Sequence, residues 1–442
     1  MNGHRNSNGR PCGSVLIVVL IVCLGLVSMT LLLGHTMLMA YRGSDNELAG
    51  RQADLAIDGA AQYVEAIMAN VDQPGEMPDP DNYQAEAVPL GDATFWFIGE
   101  PGPTDNANTP AFGLIDEASK LNLNTASATM LENLPGMTQD LAEAIVSWRS
   151  SGTSSALSSA ASSGASTTVK SAPFESVEEL AQVNGGTDLD VLYGTDTNLN
   201  HVQDENEAAD GASGFAPGLL EYVTAFSREP NTLSNGMVRI NVTRTSGSLT
   251  QLLTSTFGAT RGRQIARRTA FGPPVHSVLE YYNKSGMTAD EFAKISPMLT
   301  MSNGAFSTGL IDVNTASLIV LECIPGITQT NAQQIISTRT GQDPPQTNLA
   351  WLAPILGPAA SAQAGPYLTA ETFQISADVA AVGRHARGYR RTLFVIDSSN
   401  GTPQIVYRRD LASLGWALGS AARQTLAQGG ATVTQSQQKE AP

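Results

Sequence analysis

The sequence predicts an α+β fold: a long N-terminal transmembrane and amphipathic helix packs on a small antiparallel sheet, and an all-α domain is inserted between the strands. Three observations carry this expectation. An uncharged apolar run near the start passes directly into helical periodicity, strand-like segments lie both early and late in the chain, and one 30-residue helical pattern occurs twice between them.

The helix comes first. Val15 to Leu33 are 19 residues without a charge, which at about 1.5 Å per residue nearly cross a hydrocarbon layer of roughly 30 Å. Arg5 and Arg10 precede the run and Arg42 and Asp45 follow it, so the positive-inside bias places the N-terminus in the cytoplasm. A cleaved secretory signal is the alternative, but the run is longer than a usual signal core and His35 to Tyr41 make a poor signal-peptidase site. Cys12 lies before the apolar run, where a lipoprotein cysteine would follow it. Further on, Ile57, Ala60, Ala61, Val64, Ile67, Met68 and Val71 recur at three- and four-residue spacing, with Asp54, Asp58 and Glu65 opposite. Pro74, Gly75, Pro78 and Pro80 end the pattern, because proline lacks an amide hydrogen and clashes with the preceding turn. The expectation is one helix from about Val15 to Val71, divided into a basic leader (1–13), a transmembrane part (14–41) and an amphipathic stem (42–73).

Strands are expected at Ala93 to Ile98, Gly113 to Asp116 and Phe373 to Val379, with a hairpin from Tyr389 to Tyr407 whose turn is Asn400-Gly401. The sheet thus draws on residues 92–117 and 371–419, and the helical domain occupies 118–370. Within that domain, Lys120 to Arg149 aligns without gaps to Leu310 to Arg339, with 14 of 30 positions identical. A decayed third copy starts at Arg239. Each strong copy reads as two short helices around a Pro-Gly turn, Pro135-Gly136 and Pro325-Gly326, which is a helix-hairpin-helix pattern. A Ser/Ala/Thr-rich stretch at 150–170 reads as a linker and 420–442 as a disordered tail.

Composition narrows the function. A net charge of −16 argues against a general nucleic-acid binder. The strong hairpins carry Thr138, Gln139, Asp140 and Thr328, Gln329, Thr330 where a phosphate would need cations, so they read as packing modules with Leu123, Ala126, Leu131, Leu134, Ala142, Ile145 and Trp148 as core. Basic clusters at Arg261 to Arg268 and Arg384 to Arg391 keep a membrane-anchored DNA receptor of the competence type as the alternative. The five histidines lack zinc-ligand spacing, HExxH, GxSxG and P-loop patterns do not occur, and Cys323 lies in the apolar LIVLECIPGI, so the chain reads as a non-enzyme.

One stretch has cation-binding chemistry. Asp196 to Glu207, DTNLNHVQDENE, puts oxygen side chains Asp196, Asn198, Asn200, Asp204 and Glu207 at positions 1, 3, 5, 9 and 12, with the Val202 carbonyl at 7. This is the spacing by which an EF-hand-like loop wraps calcium. His201 stands at position 6, where such loops place glycine for a sharp turn. A solvated loop capping its own backbone is the alternative.

The basic leader ending in Gly13, the apolar helix and the stem resemble a type IV pilin or pseudopilin, and GLIDEASKLNLNTAS from Gly113 to Ser127, PFESVEEL from Pro173 to Leu180 and the closing hairpin from Tyr389 to Gly415 are similar to the minor pseudopilin K family of type II secretion systems (general secretion pathway protein K). The resemblance implies prepilin-peptidase processing between Gly13 and Ser14. Val18 stands at the fifth mature position, where other pseudopilins have glutamate and the K subunit lacks it. The resemblance further implies a calcium-stabilised tip subunit, single-pass in the bacterial inner membrane with its bulk in the periplasm. Its partners would be other minor pseudopilins, the major pseudopilin and the inner-membrane secretion platform, and its role protein export across the outer membrane.

Overall fold

A computed structural model describes residues 12–102, 109–150, 170–204, 207, 216–341 and 346–427. Helix α1 spans Cys12–Ala69 without a break. Its environment changes halfway: from Val15 to Tyr41 the large apolar side chains are exposed, whereas from Ala49 on one face is buried. The apolar segment has a mean hydropathy of 3.1 over its best 18 residues, none of it buried in the protein. Leucine, valine and isoleucine at such exposure in water would be strongly unfavourable, so this half is a candidate membrane anchor.

The stem half of α1 lies on an antiparallel sheet. Its strands are β1 (Val88–Leu90), β2 (Ala93–Gly99), β3 (Ala111–Phe112), β4 (Ile115–Asp116), β5 (Gln374–Gly383), β6 (Arg387–Asp397) and β7 (Gln404–Asp410). The order is β1-β2-β5-β6-β7, with β3 extending the edge beside β2 and β4 pairing with β5. Register places Phe97 opposite Val379 and Val379 opposite Thr392. Residues from the two ends of the chain therefore pair side by side in one sheet.

Alternation along the strands sends one set of side chains to each face. Phe95, Phe97, Ile375, Ala377, Val379, Ala381, Phe394 and Ile396 pack against Ala53, Ala56, Ile57, Ala60, Ala61, Val64 and Met68 of α1. Trp96, Ile98, Ala380 and Val382 face the other way and are covered by Ala417 and Leu418. Both faces being covered, every residue of β5 is buried. The helix approaches closely because its contact stripe is alanine and the strand ends are glycine: a Cβ at Gly383 would lie 2.1 Å from the Ala49 carbonyl oxygen, and one at Gly388 2.4 Å from the Ala49 carbonyl carbon.

Between β4 and β5 the chain forms a mainly helical insert with its own core, including Leu121, Leu123, Leu131, Ile145, Ile311, Leu321 and Ile335. Two-residue strands also occur in it, parallel at Leu121–Asn122 with Val223–Thr224, Ile240–Asn241 with Leu299–Thr300, and Ile311–Asp312 with Leu368–Thr369. Segments so short have no period-two pattern, which is why the insert reads as purely helical from sequence. Two boundaries differ from expectation. The stretch from 420, expected to lack structure, begins with helix Gly419–Ala427, because Ala422 and Leu426 pack beside Trp416 and the Arg423 guanidinium lies 5.0 Å from its ring centroid. The linker at 150–170 falls almost wholly outside the described residues, Ser150 and Lys170 excepted.

Candidate functional site

The acidic loop folds back on its own backbone. Asp196 accepts the amides of Asn200 (3.1 Å) and His201 (2.8 Å), and Glu207 accepts those of Thr197 (2.9 Å) and Asp204 (3.1 Å). Asp204 Oδ2 accepts the side-chain amides of Asn198 (2.7 Å) and Asn200 (3.2 Å), and the Val202 amide donates to Asn200 Oδ1 at 2.9 Å. The expected ligand residues Asp196, Asn198, Asn200, Val202, Asp204 and Glu207 thus belong to one compact turn. Among the described residues, no group of three or more His, Cys, Asp or Glu side chains has the arrangement of a metal site. Asn198 Oδ1, however, is buried and accepts no hydrogen bond among them. An orphaned buried carbonyl costs stability unless something satisfies it, and a hard cation is the chemistry this donor set suits.

His201 does what the glycine at position 6 would do. Its φ is 61°, in the left-handed region, as is that of Leu199 at 54°. That conformation costs a non-glycine residue roughly 1–2 kcal/mol. The imidazole is held in place, because Nδ1 lies 2.9 Å from Glu221 Oε2 in a buried pair. Burial opposes the charge, but Glu221 above all, with Glu100 and Asp196 beyond it, raises the His201 pKa to about 9. Burial likewise works against the Glu221 carboxylate, yet His201 and Lys120 hold it below its ordinary range. Lys120 in turn pairs with Glu100 at 3.1 Å.

The sheet grips this loop through Arg391, which is fully buried. Its guanidinium pairs with Asp378 (2.6 Å) and donates to the carbonyls of Asn198 and, at 2.7 Å, Leu199. Asn198 and Asn200 donate onward to the carbonyls of Trp416 (3.2 Å) and Ala417 (3.3 Å). No sequence signal singled out Arg391, because a buried arginine on a strand looks like any other edge charge.

The other Arg384 to Arg391 cations also have partners. Arg384 and Arg387 meet Asp45, and Arg390 meets Asp54, all on α1; from β7, Arg408 meets Asp58. Asp54 and Asp58 lie on the exposed side of the helix, as expected, and make solvent-exposed ion pairs to the sheet there. Gly13 and Ser14, the expected processing junction, lie in the first turn of α1.

The insert contains three equivalent units. In each, the first strand ends in an Asn or Asp whose Oδ1 accepts the amide two residues on at 2.8 Å: Asn122, Asn241 and Asp312. In each, the paired strand ends in a threonine whose hydroxyl accepts the amide two residues on: Thr224, Thr300 and Thr369. A serine then caps the first helix, Ser127, Ser246 and Ser317, and a left-handed glycine turns the hairpin, Gly136, Gly258 and Gly326. The decayed copy from Arg239 is therefore a full structural repeat.

A helix-hairpin-helix motif matches residues 116–154, the first unit. No curated protein matches the chain. Among solved structures, the chain is similar to the crystal structure of the GspK-GspI-GspJ complex from the type 2 secretion system of enterotoxigenic Escherichia coli, at 11% identity and a TM-score of 0.36, covering 84% of this chain and 99% of that one.

Proposed function

We propose that the protein is a pseudopilin-type assembly subunit, anchored by the first half of α1 in the inner membrane with its folded bulk in the periplasm, and that it acts as a minor subunit at the tip of a secretion pseudopilus. The observation that carries this reading is the two-part burial of one unbroken helix: exposed and apolar from Val15 to Tyr41, packed on an antiparallel sheet from Ala49 to Met68. A pilin-type subunit needs this division, since the same helix must sit in lipid before assembly and among neighbouring helices after it. The resemblance of GLIDEASKLNLNTAS and PFESVEEL to the K family supports the narrower assignment. Val18 supports the tip position: without a carboxylate there, nothing pairs with the N-terminal amine of a neighbouring subunit. Gly13 and Ser14 form the processing junction on this reading. The partners are other minor pseudopilins, the major pseudopilin and the inner-membrane platform, and the chain performs no catalysis.

On the same reading the 196–207 loop takes calcium, with Asp196, Asn198, Asn200, Val202, Asp204 and Glu207 holding the ion. The cation would neutralise clustered carboxylates and satisfy Asn198 Oδ1, stiffening the contact between insert and sheet. The test is affinity isolation of the full chain from detergent-solubilised membranes, with calcium or a chelator present. Recovery of small pilin-like proteins supports the assignment, and more of them with calcium supports the loop's role. A chain found in the soluble fraction without such partners contradicts both.

A further inference from the structure

From Gln52 to Ser119 the sequence has no Lys or Arg. Within that stretch Asp72 to Asn82, DQPGEMPDPDN, sets four acids among three prolines at the end of α1. The prolines restrict the backbone, and the segment is pinned besides: the Thr372 amide donates to the Gly75 carbonyl at 2.8 Å, and a Cβ at Gly75 would lie 2.9 Å from the Phe373 ring. The loop that closes the stem is therefore a fixed wall. Asp45, Asp54 and Asp58 of α1 all meet arginines, whereas Asp72, Glu76, Asp79 and Asp81 have no ion pair among the described residues.

This wall borders a cleft of about 1050 Å³ between the end of the stem and the insert. From the insert, Thr232 to Ser234 line it. They begin a tight hairpin in which the Leu233 amide donates to the Met237 carbonyl at 2.8 Å, and whose return arm exposes Met237 and Val238. The acids lining the cleft are Asp72, Glu76, Asp79, Asp81, Asp312 and Glu371, against Arg239 as the one base among the described residues. Arg239 stands where the cleft meets a smaller chamber of about 100 Å³, lining both. Its guanidinium holds Glu229 and, at 2.6 Å, Glu371, yet its Nε has no hydrogen-bond partner although the side chain is only 7% exposed. A buried donor without an acceptor costs stability.

We propose that the cleft docks a short extended segment of a partner protein that carries lysine or arginine. Its cationic side chains pair with Asp72, Glu76, Asp79 and Asp81, one of its main-chain carbonyls accepts from Arg239 Nε, and Met237 and Val238 offer apolar contact beside it. The sign of the charge excludes anionic occupants such as nucleic acid or an acidic lipid surface. A bare divalent cation or a polyamine answers the carboxylates but brings no acceptor for Nε. A basic peptide brings both. Because the proline-rich wall is already fixed, docking orders little of this chain, which favours affinity. The site is independent of the assembly reading above and stands if that reading fails.

The test is fluorescence anisotropy with the full chain in detergent and two labelled dodecapeptides, one alternating lysine with alanine and one alternating glutamate with alanine, over a salt series. Asp72→Asn/Asp79→Asn/Asp81→Asn removes three exposed charges from the cleft, and asparagine can keep the cap that Asp79 makes to the Asp81 amide. Glu132→Gln/Asp140→Asn/Glu143→Gln removes three exposed charges from the first hairpin instead. Circular dichroism melts check that both variants fold. Binding of the lysine peptide and not the glutamate peptide, weakened at least tenfold by the cleft variant and less than twofold by the hairpin variant, supports the site. No binding at low salt, equal loss in the two variants, or spermidine binding as tightly as the lysine peptide would each overturn it.

Discussion

Arg391 of β6 places its guanidinium 2.6 Å from Asp378 of β5, with no exposed surface of its own, and spends its remaining hydrogen bonds on the carbonyls of Asn198 and Leu199. One residue thereby joins the sheet to a loop 192 to 193 residues earlier in the chain.

Removing that guanidinium leaves Asp378 buried and unpaired and two carbonyls without donors. Arg391→Met is expected to cost about 3–5 kcal/mol, the range for breaking a buried ion pair. Arg391→Met/Asp378→Leu removes both charges and is expected to recover a large part of that loss. Thermal unfolding of the native chain, the single and the double variant checks this, and a double variant no better than the single one would show that the carbonyl contacts, not the stranded charge, dominate.

The pH dependence follows from His201. Its folded pKa of about 9 lies above the ordinary 6.5, so its ion pair with Glu221 contributes fully below about pH 6.5 and is lost as pH rises through about 9. His201→Asn keeps a residue tolerant of the left-handed backbone but removes the charge. The native melting temperature is expected to fall between pH 6.5 and 9.5, and that of the variant to be lower and nearly flat over the same window.

Asp312 gives a second window. Burial, and then the neighbouring Asp116, push its pKa well up, and burial raises Asp116 to about 6 against hydrogen bonds from Thr315, Thr372 and the Ala118 amide. Stability from this pair is present below about pH 4 and fades as pH rises through about 6. The other two repeats carry asparagine at the same place, Asn122 and Asn241, making the same 2.8 Å turn bond. Asp312→Asn is therefore expected to fold, to raise the melting temperature at pH 7, and to make the loss of stability above about pH 4 shallower.

The stem contact depends on missing side chains. Gly388 has φ of 68° and no room for a Cβ against Ala49. Gly388→Ala is expected to cost about 2–4 kcal/mol from backbone strain and overpacking together, read as a lowered denaturation midpoint, whereas Gly91→Ala, where nothing lies within 4 Å, costs only the left-handed strain.

How much of this was legible in the sequence depends on the range of the interaction. The long helix, the repeat and the sheet segments were readable because periodicity, proline stops and Asn400-Gly401 are local signals. The ion-pair partners of the exposed Asp54 and Asp58 were not, because Arg390 and Arg408 come from strands at the far end of the chain. The loop at 196–207 was found by its oxygen spacing, but its anchor Arg391 lies 184 residues beyond Glu207 and left no mark on that pattern. His201 read as a departure from glycine; only the Glu221 partner explains how a histidine holds that turn. The middle repeat was diluted by its arginine substitutions and by a longer first helix, though its Asn241, Ser246 and Gly258 keep every backbone-determining position.

If the protein assembles as proposed, the exposed side of the α1 stem, outside the membrane, meets the stem helices of other pilin-like subunits. Leu55 is 69% exposed there, whereas Ser255 is an exposed position on the insert. Cysteine placed at each in turn, with Cys12, Cys23 and Cys323 changed to serine, would be oxidised in intact cells and the adducts identified by mass spectrometry. Leu55→Cys is expected to give covalent adducts with other pilin-like subunits and Ser255→Cys none. Adducts from Ser255→Cys alone, or none from Leu55→Cys in a chain recovered from membranes, would contradict the claim.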